Sequence, residues 1–229
     1  MNKKYVLKNI ALFIALLFHV CGLIGILFTP YKDWFIKNTY INLLLMAALI
    51  VLTHPKKNKK FYLFFIAAFI IGFAAEVLGA STGLLFGSYN YNDILGIKLF
   101  NVPLIIGINW FIIIYCAGML TQSYENFMLK RINAKGIIIN KRMMITSFIM
   151  DACFLAVLFD WVMEPVAQKL GYWQWGNSKI PQYNYVSWMI VSAVLLAVFR
   201  KLNQDKRNIF AVHLFIIQLL FFLVLRTFL

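Results

Sequence analysis

Hydrophobic residues in this chain come in long runs separated by short basic loops. The runs lie at roughly Ile10 to Phe28, Ile36 to Leu52, Phe61 to Leu78, Val102 to Leu120, Met143 to Val162, Tyr185 to Phe199 and Ile209 to Leu225. Apolar stretches approaching about 20 residues, rising about 1.5 Å per residue, match a hydrocarbon core roughly 30 Å thick. The pattern predicts an all-α polytopic membrane helix bundle of about seven transmembrane helices, forming a single integral membrane domain over residues 1–229. Lys3, Lys4 and Lys8 ahead of the first run imitate a secretory signal. No small-x-small cleavage site follows, and Val20 is bulky for a residue preceding a lipoprotein cysteine, so the first run is expected to remain as a span.

Composition agrees: 62% of residues are hydrophobic and 13% charged, more apolar surface than a soluble core of this length could hide. The net charge of +14 sits in the short loops, which fits contact with anionic lipid and not a nucleic-acid surface. With seven spans, 16 Lys and Arg residues fall on one side and 6 on the other. The positive-inside rule then puts the N-terminus in the cytoplasm and the C-terminus outside, in a multi-pass protein of the cell inner (cytoplasmic) membrane. Cys21, Cys116 and Cys153 lie in apolar runs without metal or redox spacing, and His19, His54 and His213 are scattered, so no metal site is expected.

Against this background the acids stand out. There are only eight, and an ionisable group in or beside a span is costly enough to suggest function. Glu76 falls about 15 residues into the third span, roughly 22 Å from its cytoplasmic start. Asp160 and Glu164 are four residues apart, on one face of the outer end of the fifth. Pro165 is expected to end that helix at Glu164. Asp151, half-way down the same span, could belong to a proton route. The segment from Gly79 to Gly96 is too glycine-rich to continue a helix and should fold across the bundle mouth. Glu76 could alternatively bond loop amides or pair with Lys98. The dense aromatics after Pro165 (Tyr172, Trp173, Trp175, Tyr183, Tyr185, Trp188) could form an interfacial belt, or an aromatic wall suited to a cationic intermediate.

Three blocks carry a family resemblance. The first is Glu76, Gly79, Thr82, Gly83, Phe86, Gly87, Tyr89 and Tyr91, followed by Leu95 and Gly96. The second is Val102, Pro103, Trp110 and Tyr115. The third runs from Asp160 through Glu164-Pro165 and Gly171-Tyr172-Trp173-x-Trp175 to Asn184 and Trp188. Together they resemble membrane carotenoid-biosynthesis proteins that include carotenoid 1,2-hydratases and bisanhydrobacterioruberin hydratases. Leu85, Gly107, Glu164 and Ser187 depart from that pattern.

The resemblance implies addition of water across the terminal C1,C2 double bond of an acyclic (ψ) carotenoid end, without a cofactor. It also implies a lipophilic carotenoid substrate, a bilayer setting and other carotenoid-pathway enzymes as partners. Such a reaction protonates an alkene and captures a tertiary carbocation with water, so it needs a strong acid, a base and a dry pocket. The expected catalytic residues are Asp160 as general acid, Glu76 as water-orienting base and Glu164 tuning or exchanging roles. Trp110, Trp173 and Trp175 are expected to face the cation, where attraction is worth about 2 kcal/mol or more when desolvated. Tyr89, Tyr91 and Asn184 are expected to hold water, with Thr82 and Trp188 completing the substrate-binding set. End-group cyclisation, a proton-coupled transporter and a non-catalytic scaffold are the competing readings.

Overall fold

The computed structural model describes residues 3–134, 140–176, 179–202 and 207–229. Among these are eight helices: α1 Lys3–Phe28, α2 Lys32–Lys37, α3 Thr39–Thr53, α4 Lys59–Thr82, α5 Ile105–Asn133, α6 Lys141–Lys169, α7 Gln182–Lys201 and α8 Ile209–Phe228. Six of them (α1 and α4 to α8) are long and apolar enough to cross a membrane, and the chain is a multi-pass membrane protein.

The second expected span differs. It divides at Asn38, whose backbone leaves the helical region and whose side-chain amide donates to the Trp34 carbonyl at 2.7 Å. The 15 residues of α3 rise only about 22 Å, short of a full hydrocarbon core. α3 still runs from one end of the bundle to the other. Thr39 at its start bonds the Tyr172 hydroxyl at 2.7 Å, while Thr53 and His54 at its end meet Asn208 and Tyr115.

The C-terminal ends of α3, α5 and α7 share one, basic, end; Lys135 and Lys206 of the charge count lie outside the described residues. Glu76, Asp160 and Glu164 lie toward the other. α5 forms the centre, with 78% of its apolar window buried. Because lipid tails are as apolar as leucine, contact in such a bundle depends on close packing. Gly72 of α4 is an instance: a Cβ there would lie 2.4 Å from Cγ of Trp110, so only glycine lets α5 bring that indole against α4.

Two features correct the sequence reading. The loops hold short antiparallel ribbons in an otherwise helical protein, β1 Tyr89–Tyr91 with β4 Trp173–Trp175, and β2 Lys98–Leu99 with β3 Val102–Pro103. In addition, Pro165 does not end α6, which continues to Lys169. Proline removes the N–H that would bond the carbonyl four residues back, that of Trp161. Arg226 of α8 supplies the replacement: its guanidinium donates to the Trp161 carbonyl at 2.9 Å and lies 4.0 Å over the Trp161 ring.

Candidate active site

α4 carries Glu76 to the acidic end and stops six residues later at Thr82, capped by Gly83, whose φ of 69° is the left-handed conformation glycine adopts cheaply. The chain then turns back as β1 and pairs with β4, opposing Tyr89 to Trp175 and Tyr91 to Trp173. Side chains alternate across a strand, so these four aromatics share one face while Asn90 and Gln174 take the exposed one. The aromatic face covers the acids. Tyr89 and Trp175 rings lie 5.0 Å apart and Tyr91 and Trp173 rings 5.7 Å.

Each acid has a different set of partners. Glu76, 5% exposed, accepts three hydrogen bonds: Tyr89 and Tyr91 hydroxyls to Oε2 at 2.6 and 2.7 Å, and the Trp110 indole N–H to Oε1 at 2.9 Å. Three donors suit an ionised carboxylate. Burial first, and then the Glu76 charge, push the Tyr89 and Tyr91 hydroxyls well above their usual range, so both keep their protons and remain donors. Glu164 accepts from the indole N–H groups of Trp173 and Trp175 on the same Oε2, both at 3.0 Å.

Asp160 is entirely buried and less well served. Its Oδ2 accepts from the Asn184 amide at 2.9 Å, while Oδ1 finds no donor among the described residues. Asp160 and Glu164 are four residues apart and project from one face of α6, so the two carboxyl groups are neighbours. Glu164 receives two indole N–H bonds and Asp160 a single amide N–H, so Asp160 is the less well served of the two.

A cavity of about 20 Å³ lies among these groups, room for a single water molecule. Glu76, Glu164, Tyr89, Tyr91, Trp110, Trp173, Trp175, Asn184 and Trp188 all line it. Trp110 and Trp188 stack with centroids 4.0 Å apart, closing the inner wall. Asp160 sits one layer back, linked to the cavity through Asn184, which lines it and bonds Asp160.

Other expectations fall elsewhere. Thr82 does not line the cavity: its hydroxyl donates to the Leu78 carbonyl at 2.5 Å and accepts from the Leu84 N–H at 3.2 Å, finishing α4 on an exposed turn. Lys98 pairs with Asp93 at 2.6 Å and donates to the Tyr91 carbonyl, leaving Glu76 without that partner. Asp151 is exposed, bonds Ser147 at 3.3 Å and borders a separate hollow between α5 and α6. The sequence reading missed Asn109 and Met163, which line the cavity. The available signal for Asn109 was an amide beside Trp110 within an apolar helix; Met163 gave none. Among the described residues no group of acids, histidines and cysteines could hold a metal ion.

Fold and site together define a multi-pass membrane protein with a buried carboxylate cluster under an aromatic ribbon. The family model described as "Carotenoid biosynthesis protein" matches residues 37–229, and the chain belongs to that family. No curated protein and no solved structure matches the chain.

Proposed function

We propose that the chain is a cofactor-independent carotenoid 1,2-hydratase acting on an acyclic end group. The observation that carries this reading is the contrast between two buried acids beside a one-water cavity: Glu76 held by three donors, and Asp160 with an oxygen that none reaches. Hydration of a trisubstituted alkene needs that contrast, a group that retains a proton and one that removes a proton from water.

In the proposed step the proton held by the Asp160–Glu164 pair passes to C2 of the terminal double bond. The π electrons form the new C–H bond, and the positive charge develops on C1, which bears two methyl groups. Trp110, Trp173 and Trp175 line the cavity in which that charge forms, where an aromatic wall favours a cation. Water in the cavity attacks C1 as Glu76 takes its proton, giving a tertiary alcohol. Transfer of that proton back to the Asp160–Glu164 pair restores the starting state, so the net change is addition of one water. The polyene enters sideways from lipid, and the end group reaches the acids by displacing lining side chains such as Met163. The charge asymmetry of the loops supports a seven-span path in one domain, with the N-terminus and basic end in the cytoplasm and the acids at the outer face of the cytoplasmic membrane.

The test is expression in a host that makes a carotenoid with acyclic ends, followed by mass analysis of its pigments. Hydration adds the mass of water and leaves the chromophore unchanged; an isomer of unaltered mass would mark the protein as a cyclase instead. Asp160→Asn and Glu76→Gln are expected to remove the product while protein level is maintained. Full conversion by both variants would defeat the assignment.

A further inference from the structure

A second and much larger cavity, about 510 Å³, opens between α1, α2, α3 and α8, lined by none of the three acids. Its walls are largely apolar and aromatic, including Phe35 and Phe221, yet polar side chains line it as well, among them one each from α1, α3 and α8. Gln218, in the middle of α8, is 5% exposed and makes no hydrogen bond among the described residues. Asn42 of α3 has a buried Oδ1 without a partner. His19 of α1 bonds the Ala15 carbonyl through Nδ1 at 2.7 Å, and its Nε2 has no partner among the described residues.

These groups constrain what fits. His19 lies nine residues before the end of α1, about 14 Å along the helix, and Gln218 ten residues before the end of α8, about 15 Å. That depth is below the level of lipid headgroups, and an acyl chain offers nothing to bond there. A polar side chain held away from water without a partner is costly, so Gln218 and the Asn42 oxygen favour a ligand that can meet them. Because only an N–H can bond the Ala15 carbonyl, Nδ1 carries the proton, and in the neutral ring Nε2 is an acceptor. It requires a donor from the ligand. Gln218 and Asn42 can give or accept the complementary bond. A ketone or quinone oxygen cannot donate to Nε2, whereas a hydroxyl can donate to it and accept from an amide.

We propose that this cavity binds an isoprenoid alcohol, its hydroxyl seated between His19 Nε2 and Gln218 and its chain lying along the aromatic wall. The proposal does not depend on the hydration chemistry.

The probe is all-trans-retinol, a fluorescent polyene alcohol, titrated by energy transfer from tryptophan into the full chain in phosphatidylcholine nanodiscs. Retinyl methyl ether, which keeps the oxygen but cannot donate, is the comparison. Retinol is expected to bind saturably and about tenfold more tightly than the ether, the equivalent of one lost hydrogen bond. Gln218→Leu and His19→Phe are each expected to erase that preference while ether binding persists, which also shows that the variants are folded. Glu76→Gln, which should abolish hydration, is expected to leave retinol binding intact, so the two readings fail separately. Equal binding of alcohol and ether by the unaltered protein, or a preference that survives both substitutions, would make the cavity a seat for acyl chains only and overturn the proposal.

Discussion

Buried polar clusters occur at both ends of the bundle, and they are built on opposite principles. At the basic end the His54 ring nitrogen Nδ1 meets the Tyr115 hydroxyl at 2.5 Å, and the ring stacks on Phe61 at 4.0 Å. Asn208 donates to Thr53 at 3.2 Å and to Tyr115 at 3.4 Å, and its Oδ1 caps the first turn of α8 through the Phe210 N–H. Every member is neutral, and each is engaged. Such a cluster locks α3, α5 and α8 in register. At the acidic end two carboxyl groups, Glu76 and Glu164, line one small cavity, and Asp160 behind them retains an oxygen without a donor among the described residues. An unmet buried group is costly in a structural role and useful in a chemical one. The difference separates the cluster that holds the bundle from the one proposed to act.

The largest expected effect tests that separation directly. Asp160→Asn preserves shape and the bond to Asn184 but cannot give up a proton of comparable acidity, so hydration should fall by about 10²–10⁴-fold, the usual contribution of a general acid. Thermal stability should change little. Pigment conversion and melting temperature, measured on the same preparation, decide it: a large loss of stability would return Asp160 to the structural class.

The basic end should show the reverse, an effect on stability with a defined pH window. Burial first, with the Lys57 charge adding to it and the Lys56 backbone opposing, lowers the His54 pKa from 6.5 to about 4. The folded state therefore binds fewer protons than the unfolded state between these values. Stability is complete above about pH 6.5, declines as pH falls toward 4 and is then level. Denaturant titration in detergent across this range should reveal the slope, and His54→Phe should remove it while preserving the stack on Phe61. An unchanged slope in that variant would place the acid sensitivity elsewhere.

A smaller effect is expected from Trp110→Phe, because it keeps an aromatic ring against Trp188 and removes only the N–H that Glu76 Oε1 accepts. Loss of one charge-assisted bond is worth about 1.5 to 3 kcal/mol, so hydration should fall by about ten- to a hundredfold with the substrate preference retained. Rates equal to those of the unaltered protein would mean that Glu76 is held well enough by Tyr89 and Tyr91 alone.

What the linear chain disclosed, and what it concealed, follow from the range of the interactions involved. The apolar runs were legible because bilayer thickness imposes length directly, and the acids because charge near a span is rare. The alternation Tyr89-Asn90-Tyr91 and Trp173-Gln174-Trp175 was also present, but three residues are too few to distinguish strand from loop, and the partner strands are some eighty positions apart. The continuation of α6 through Pro165 depends on Arg226, which no local rule connects to it. The break at Asn38 is likewise a local competition, decided by an amide that bonds the Trp34 carbonyl and weakens an otherwise continuous apolar run.

Thr82 gives the smallest and most discriminating comparison, since the motif that contains Glu76 also contains this hydroxyl. Its two hydrogen bonds, to the Leu78 carbonyl and from the Leu84 N–H, close the end of α4, and neither faces the acids. Thr82→Ala should cost about 0.5 kcal/mol of stability, in the range of an exposed local bond, and leave hydration within about twofold. A loss of conversion comparable to that of Trp110→Phe would mean that the turn after α4 closes over the substrate. The reacting end would then extend beyond the acid cavity to the exposed side of β1.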